Sequence, residues 1–187
     1  MTPDLLKAVE IAANRTVGPL VVPWPMPGNL GGFVSFDRFD QWRAFVLQLG
    51  LRQKVPPIIA AKFDRAHKLL LLTWLDFDLI KAAELTVLTA LELALRDQYG
   101  LQTKKIYGNM KFGHLLRYLP EHGGLTDEKV AMNVRCRGGT VVGLLDGTRT
   151  PNLADIRNEL AHGYPFDGFP YAGLFELVRD LIECAYR

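Results

Sequence analysis

Residues 58–100 read IIAAKFDRAHKLLLLTWLDFDLIKAAELTVLTALELALRDQYG, and their periodicity decides the fold class. Ile58 to Leu75 is one long apolar helical run; Asp76 or Asp78 caps a second, which reaches about Tyr99 and closes at Gly100. Asp76, Asp78, Lys81, Glu84 and Glu92 interrupt the apolar stretch from Leu69 to Leu95, so two helices of a soluble core are expected there. On the wheel of the second helix, Glu84 falls inside the apolar face of Ile80, Val87, Leu88, Leu91 and Leu95. Lys81, Glu92 and Arg96 form a separate polar stripe, where Glu92 and Arg96 read as a surface pair. A carboxylate on the apolar side needs a partner. An internal ion pair or hydrogen bond fixing helix register is one reading; contact with a catalytic group is the other.

Towards the C-terminus the same signals repeat. A short helix spans Phe112 to Leu119 before Pro120, Gly123 and Gly124, and Leu125 and Val130 flank Thr126 as a staple for a helix from Asp127 to Arg137. Thr150-Pro151 opens a helix to His162, Gly163 and Pro165 end it, and Gly173 to Tyr186 is the last. Towards the N-terminus, Pro3 to Asn14 reads as a short helix and Phe36 to Leu49 as another, with Trp42, Phe45, Val46 and Leu49 on one face. Between them the uncharged run Thr16 to Phe36 carries Pro19, Pro23, Pro25, Pro27, Gly28, Gly31 and Gly32, which excludes a spanning helix and implies an extended arm. Its Trp24 is expected to anchor against its own domain or a neighbouring subunit. Pro56-Pro57 marks a break. The expectation is an all-α small helical bundle over residues 56–187, preceded by an N-terminal extension, residues 1–55, with short helices and a Pro/Gly-rich arm.

Composition narrows the function. Of 187 residues 49% are hydrophobic, and 22 basic side chains against 20 acidic ones give a net charge of +2. Such a chain can bury enough surface to fold, which excludes disorder, and it lacks the charge of a general nucleic-acid coat. Any RNA contact must be local. Asp4 and Glu10 sit where a leader would need an apolar stretch, and two cysteines, Cys136 and Cys184, are too few for a disulfide framework or a Cys-based zinc site. A cytoplasmic, membrane-free protein is expected. The surplus apolar surface implies a subunit interface.

The segment richest in chemistry is Asn152 to Gly163, NLADIRNELAHG. At about 100° per residue, Leu153, Ile156 and Leu160 form an apolar face, Arg157 lies at its edge about 40° from Leu153, and Asn158 and His162 point away near 140° and 180°. Histidine exchanges protons near neutral pH, arginine presents a planar fork to phosphate, and asparagine positions an oxygen without taking the proton. A solvent-exposed His stabilised by the helix C-terminus is the plainer reading of His162. Arg157 and His162 diverge by about 140°, too far to meet easily at one phosphate. Two copies of the helix packed about a symmetry axis would bring both into one groove.

RNELAHG, residues 157–163, resembles the Arg-x4-6-His signature of the HEPN superfamily, with Asn158 as the polar residue after the Arg. AAELTVLTALELALRDQYG, residues 82–100, is similar to the second helix of several prokaryotic HEPN families. The resemblance covers about residues 56 to 187. It implies a small helical bundle that pairs as a homodimer and a metal-independent endoribonuclease of a defence, toxin or RNA-processing system. His162 would be the general acid or base, Arg157 would stabilise the transition-state phosphate and Asn158 would position. The reaction implied is attack of a ribose 2′-hydroxyl on its own 3′-phosphate. An antitoxin or other protein partner is implied, while no cofactor is, and the sequence offers no metal-ligand spacing. Many relatives act instead as non-catalytic modules for dimerisation, partner or nucleotide binding, and that reading stays open.

Remaining candidates are weaker. Glu84 would support the site by orienting Arg157 or His162. Arg135 and Arg137, beside Gly138-Gly139, could hold a phosphate, and Cys136 between them is expected to have a lowered pKa. Lys104 and Lys105 with Tyr107, and Lys111 beyond Gly108, form a basic cluster suited to RNA.

Overall fold

The computed structural model describes residues 18–104, 110–163 and 169–187, with Asp4 and Lys7. The helix expected over Pro3 to Asn14 therefore lies outside the described residues, apart from those two. The remainder is mostly helical. Two short strands, β1 (Leu20–Pro23) and β2 (Phe33–Phe36), precede α1 (Phe39–Gln48), α2 (Pro57–Leu72), α3 (Leu79–Thr103) and α4 (Phe112–Glu121). A 3-10 turn (Asp127–Lys129), α5 (Ala131–Cys136), α6 (Val141–Asp146), α7 (Leu153–His162) and α8 (Leu174–Ala185) complete the order. Among the described residues no helix is long and apolar enough to cross a membrane.

The α2–α3 pair is the frame that the apolar periodicity requires. Pro57 occupies the first turn of α2, where a missing N–H costs nothing, and Ile59, Phe63, Ala66, Leu70 and Leu71 face inward. α3 buries Ile80, Ala83, Val87, Leu88, Ala90, Leu91, Ala94 and Leu95. It runs one turn past Gly100, the expected stop, and ends when Lys104 takes a left-handed φ of 55°. A glycine inside a helix costs only about 1 kcal/mol, and Thr103 Oγ1 donates to the Tyr99 carbonyl at 2.7 Å, satisfying an end that Gly100 would otherwise have had to close.

The proline-rich arm is an antiparallel hairpin, pairing Leu20 with Phe36 and Pro23 with Phe33. Prolines and glycines hid it from the periodicity. Leu20 and Val22 point inward, and Trp24 meets Phe45 of the same chain edge-on at 4.7 Å. Trp42 of α1 is fully buried, with its Nε1 donating to the Leu71 carbonyl at 3.1 Å. One hydrophobic core thus crosses the division drawn at residue 56, taking in Leu20, Val22, Phe36, Phe39, Trp42, Val46 and Leu49 from the first 55 residues.

The helix expected from Asp127 to Arg137 is divided. Val130 is extended, and the Asp127 carboxylate accepts from Val141 N (2.6 Å) and Val142 N (2.9 Å), so it caps α6 instead of its own helix.

Residues Leu174 to Glu183 of α8 are all buried, although four of them are charged. Arg179 donates to Asp180 Oδ1 from Nε (3.0 Å) and Nη2 (2.8 Å) and to the Gln48 carbonyl from Nη1 (3.1 Å). Arg52 reaches Glu183 at 2.6 Å and Asp180 at 3.1 Å. Met132 N donates to Asp180 Oδ2 at 2.6 Å. The carboxylates of this helix are met by cations from elsewhere in the chain, and Arg179 by its neighbour Asp180 and the Gln48 carbonyl.

Candidate functional site

α7 begins with a reciprocal cap. Asn152 Oδ1 accepts from Ala154 N (2.9 Å) and Asp155 N (3.0 Å), and Asp155 accepts from Asn152 N (3.2 Å). The helix therefore starts at Leu153, two residues after Pro151. Leu153 and Ile156 are buried and Leu160 half-buried, which turns Arg157 towards α3 and leaves Asn158 and His162 exposed.

Arg157 Nη2 donates to Glu92 Oε2 at 3.1 Å, and Arg96 Nη2 donates to Glu92 Oε1 at 2.8 Å and to the Met110 carbonyl at 2.8 Å. One carboxylate lies between two guanidiniums, and the trio carries net positive charge. Arg157 Nη1 makes only a long 3.4 Å contact to Asn158 Oδ1, and its buried Nε has no partner among the described residues. The guanidinium is thus held in place with donors to spare.

Arg157 and Asn158 line a cleft of about 480 Å³ together with Lys111, His114 and Arg117 from the start of α4. The two helices approach closely there, because Gly113 faces Ala154; a Cβ built on the glycine would lie 3.6 Å from the alanine methyl. His162 does not line this cleft. It stands at the exposed end of α7, where Gly163 closes the helix with a left-handed φ of 61°.

Glu84 does not orient the motif. Its Oε1 accepts from Tyr171 N at 2.6 Å and its Oε2 lies 3.3 Å from Lys81 Nζ, so the internal partner of the first reading applies. Burial pushes its carboxyl up to about 7 against the pull of Lys81 and the Tyr171 amide. The carboxylate that holds Arg157 is Glu92, which the wheel placed on the surface stripe; its side chain is only 12% exposed because α7 covers it.

Other candidates separate as well. Arg135 is committed to Glu176, from Nε at 3.0 Å and Nη2 at 2.6 Å, and to the Pro25 carbonyl at 3.0 Å. It is a strut between α5, α8 and the arm. Arg137 is exposed with a left-handed φ of 55°, and Cys136 is buried against the Pro25 carbonyl, where burial raises its pKa above the ordinary value instead of lowering it. Lys104 is exposed at the end of α3, and Lys105 lies outside the described residues. Among the described residues no three His, Cys, Asp or Glu side chains gather to share a metal ion.

No protein-family model, no curated protein and no solved structure matches this chain.

Proposed function

We propose that this protein is a HEPN-like, metal-independent endoribonuclease of a defence, toxin or RNA-processing system, acting in the cytoplasm as a homodimer. The observation that carries the proposal is Arg157, positioned by Glu92 with unused donors at the edge of a cationic cleft. A guanidinium fixed in that way is suited to a phosphorane whose charge grows in the transition state.

In this scheme a base removes the proton from a ribose 2′-hydroxyl and O2′ bonds to the adjacent phosphorus. The bond to the 5′-oxygen breaks, and an acid protonates that oxygen, leaving a 2′,3′-cyclic phosphate and a 5′-hydroxyl. His162 supplies proton transfer and Asn158 positions the substrate. Because His162 lies outside its own chain's cleft, a second copy must bring α7 alongside for the groups to converge.

The same exposure of His162 favours the alternative, a non-catalytic helical module that dimerises or binds a nucleotide or protein partner, such as an antitoxin. Incubating the purified protein with mixed RNAs in EDTA separates the two. Cleavage to cyclic phosphate ends that disappears in His162→Ala supports the enzyme, whereas intact RNA across the panel supports the module.

A further inference from the structure

We infer that the α4 edge formed by Lys111, His114 and Arg117 is the substrate track of this site, binding the phosphodiester backbone of single-stranded RNA beside Arg157; this names the substrate groups of the reading above and rests on it. Lys111, His114 and Arg117 follow one another at intervals of three residues, which keeps them on one side of the helix facing α7. All three are exposed. Lys111 and His114 make no side-chain hydrogen bond or ion pair with the described residues. Arg117 uses only Nε, on the neutral carbonyl of Asp146 at 3.1 Å, and keeps both terminal nitrogens.

The opposite wall adds to this field. Arg157 shares its carboxylate with Arg96, and among the described residues no acidic side chain lines the cleft. Arg135, by contrast, has its charge cancelled by Glu176. Lys111 has no carboxylate partner among the described residues, Arg117 meets the Asp146 carboxylate only through space, and Arg157 shares Glu92 with Arg96, so positive charge prevails locally in a chain whose net charge is only +2, as phosphate requires. Attack by the 2′-hydroxyl needs a ribose that can rotate into line with the departing 5′-oxygen, which a paired strand resists. The occupant is therefore an unpaired strand.

The test uses a fluorescent 2′-O-methyl oligoribonucleotide, which lacks the nucleophile and cannot be cleaved. Anisotropy is recorded from low to moderate salt for the wild type, the double variant Lys111→Ala/Arg117→Ala, and Arg65→Ala as an exposed cation outside the cleft. The double variant is expected to lose about tenfold or more in affinity and to flatten the log–log salt slope by about 1.4, two contacts at about 0.7 each, with Arg65→Ala unchanged. Circular dichroism verifies that the variants are folded. Equal affinity and slope in wild type and double variant overturn the track, even where unmodified RNA is cleaved in EDTA. Binding that depends on Lys111 and Arg117 without any cleavage keeps the track and removes the nuclease. A wild type that neither binds nor cleaves removes both.

Discussion

Glu92 is the residue on which the geometry of Arg157 depends, and Glu92→Ala tests it most directly. The carboxylate is 12% exposed, and its partners Arg96 and Arg157 are 24% and 33% exposed. Fully exposed pairs contribute 0 to about 1 kcal/mol, and a buried pair broken on one side costs about 3–5 kcal/mol. Partial screening places each bond here at about 1 kcal/mol. Removing both, and leaving two guanidiniums facing each other, is expected to cost about 2–3 kcal/mol. For a chain of this length that lowers Tm by about 4–12 °C. Glu92→Gln keeps one acceptor oxygen and is expected to lose about half as much. Urea unfolding of wild type, Glu92→Ala, Arg157→Ala and the double variant closes a cycle, in which a coupling of about 1 kcal/mol is expected. Single effects that add to within about 0.3 kcal/mol refute the reasoning, because Arg157 would then not be held by Glu92.

Two buried groups give opposite pH responses. Glu84 titrates at about 7 when folded against an ordinary 4.5, so the folded state keeps a proton that the unfolded chain loses, and stability falls as pH rises from 4.5 to 7. His67, pushed down to about 4 by burial between Phe63 and Phe175, does the reverse: the unfolded chain binds a proton that the folded state refuses, and stability rises from pH 4 to 6.5. Each slope approaches about 1.4 kcal/mol per pH unit, so the two nearly cancel in the wild type. Urea unfolding across this range should rise in Glu84→Gln and fall in His67→Phe; parallel profiles contradict the assignment. Arg52→Ala, which leaves buried Asp180 and Glu183 short of a cation, is expected to cost about 2 kcal/mol by the same measurement, and a change below about 0.5 kcal/mol would show the ion pairs to be idle. His162→Ala, on an exposed helix end, is expected to shift stability by less than about 0.5 kcal/mol, so a larger drop in Tm would mean that lost cleavage reports unfolding.

Local order was legible in the sequence where local chemistry dictates it. The apolar face of Leu153 and Ile156, the outward Asn158 and His162 and the stop at Gly163 follow from consecutive residues, whereas the start expected at Thr150-Pro151 moves to the Asn152 cap. What escaped is whatever is decided between elements. Glu92 and Arg157 are 65 positions apart, and no wheel of either helix reveals that α7 covers the polar stripe of α3. His114 and Arg117 carry no motif, and only the docking of Gly113 on Ala154 brings them to Arg157. The hairpin escaped for another reason, since its strands have four residues each and one ends in proline.

The buried charges of α8 have a consequence for the order in which the chain can mature. Synthesis runs from the N-terminus, so residues 174–185 emerge after every element they support. Until then Arg52 and Arg135 lack the carboxylates of Glu183 and Glu176, and α3 and α5 lack the helix they pack against. When α8 arrives, its Leu and Ile side chains would accept several depths of insertion, but its carboxylates accept one, at which Arg52, Arg135 and the Met132 amide all find their acceptors. The late helix therefore acts as the gauge that sets the alignment of all the earlier ones.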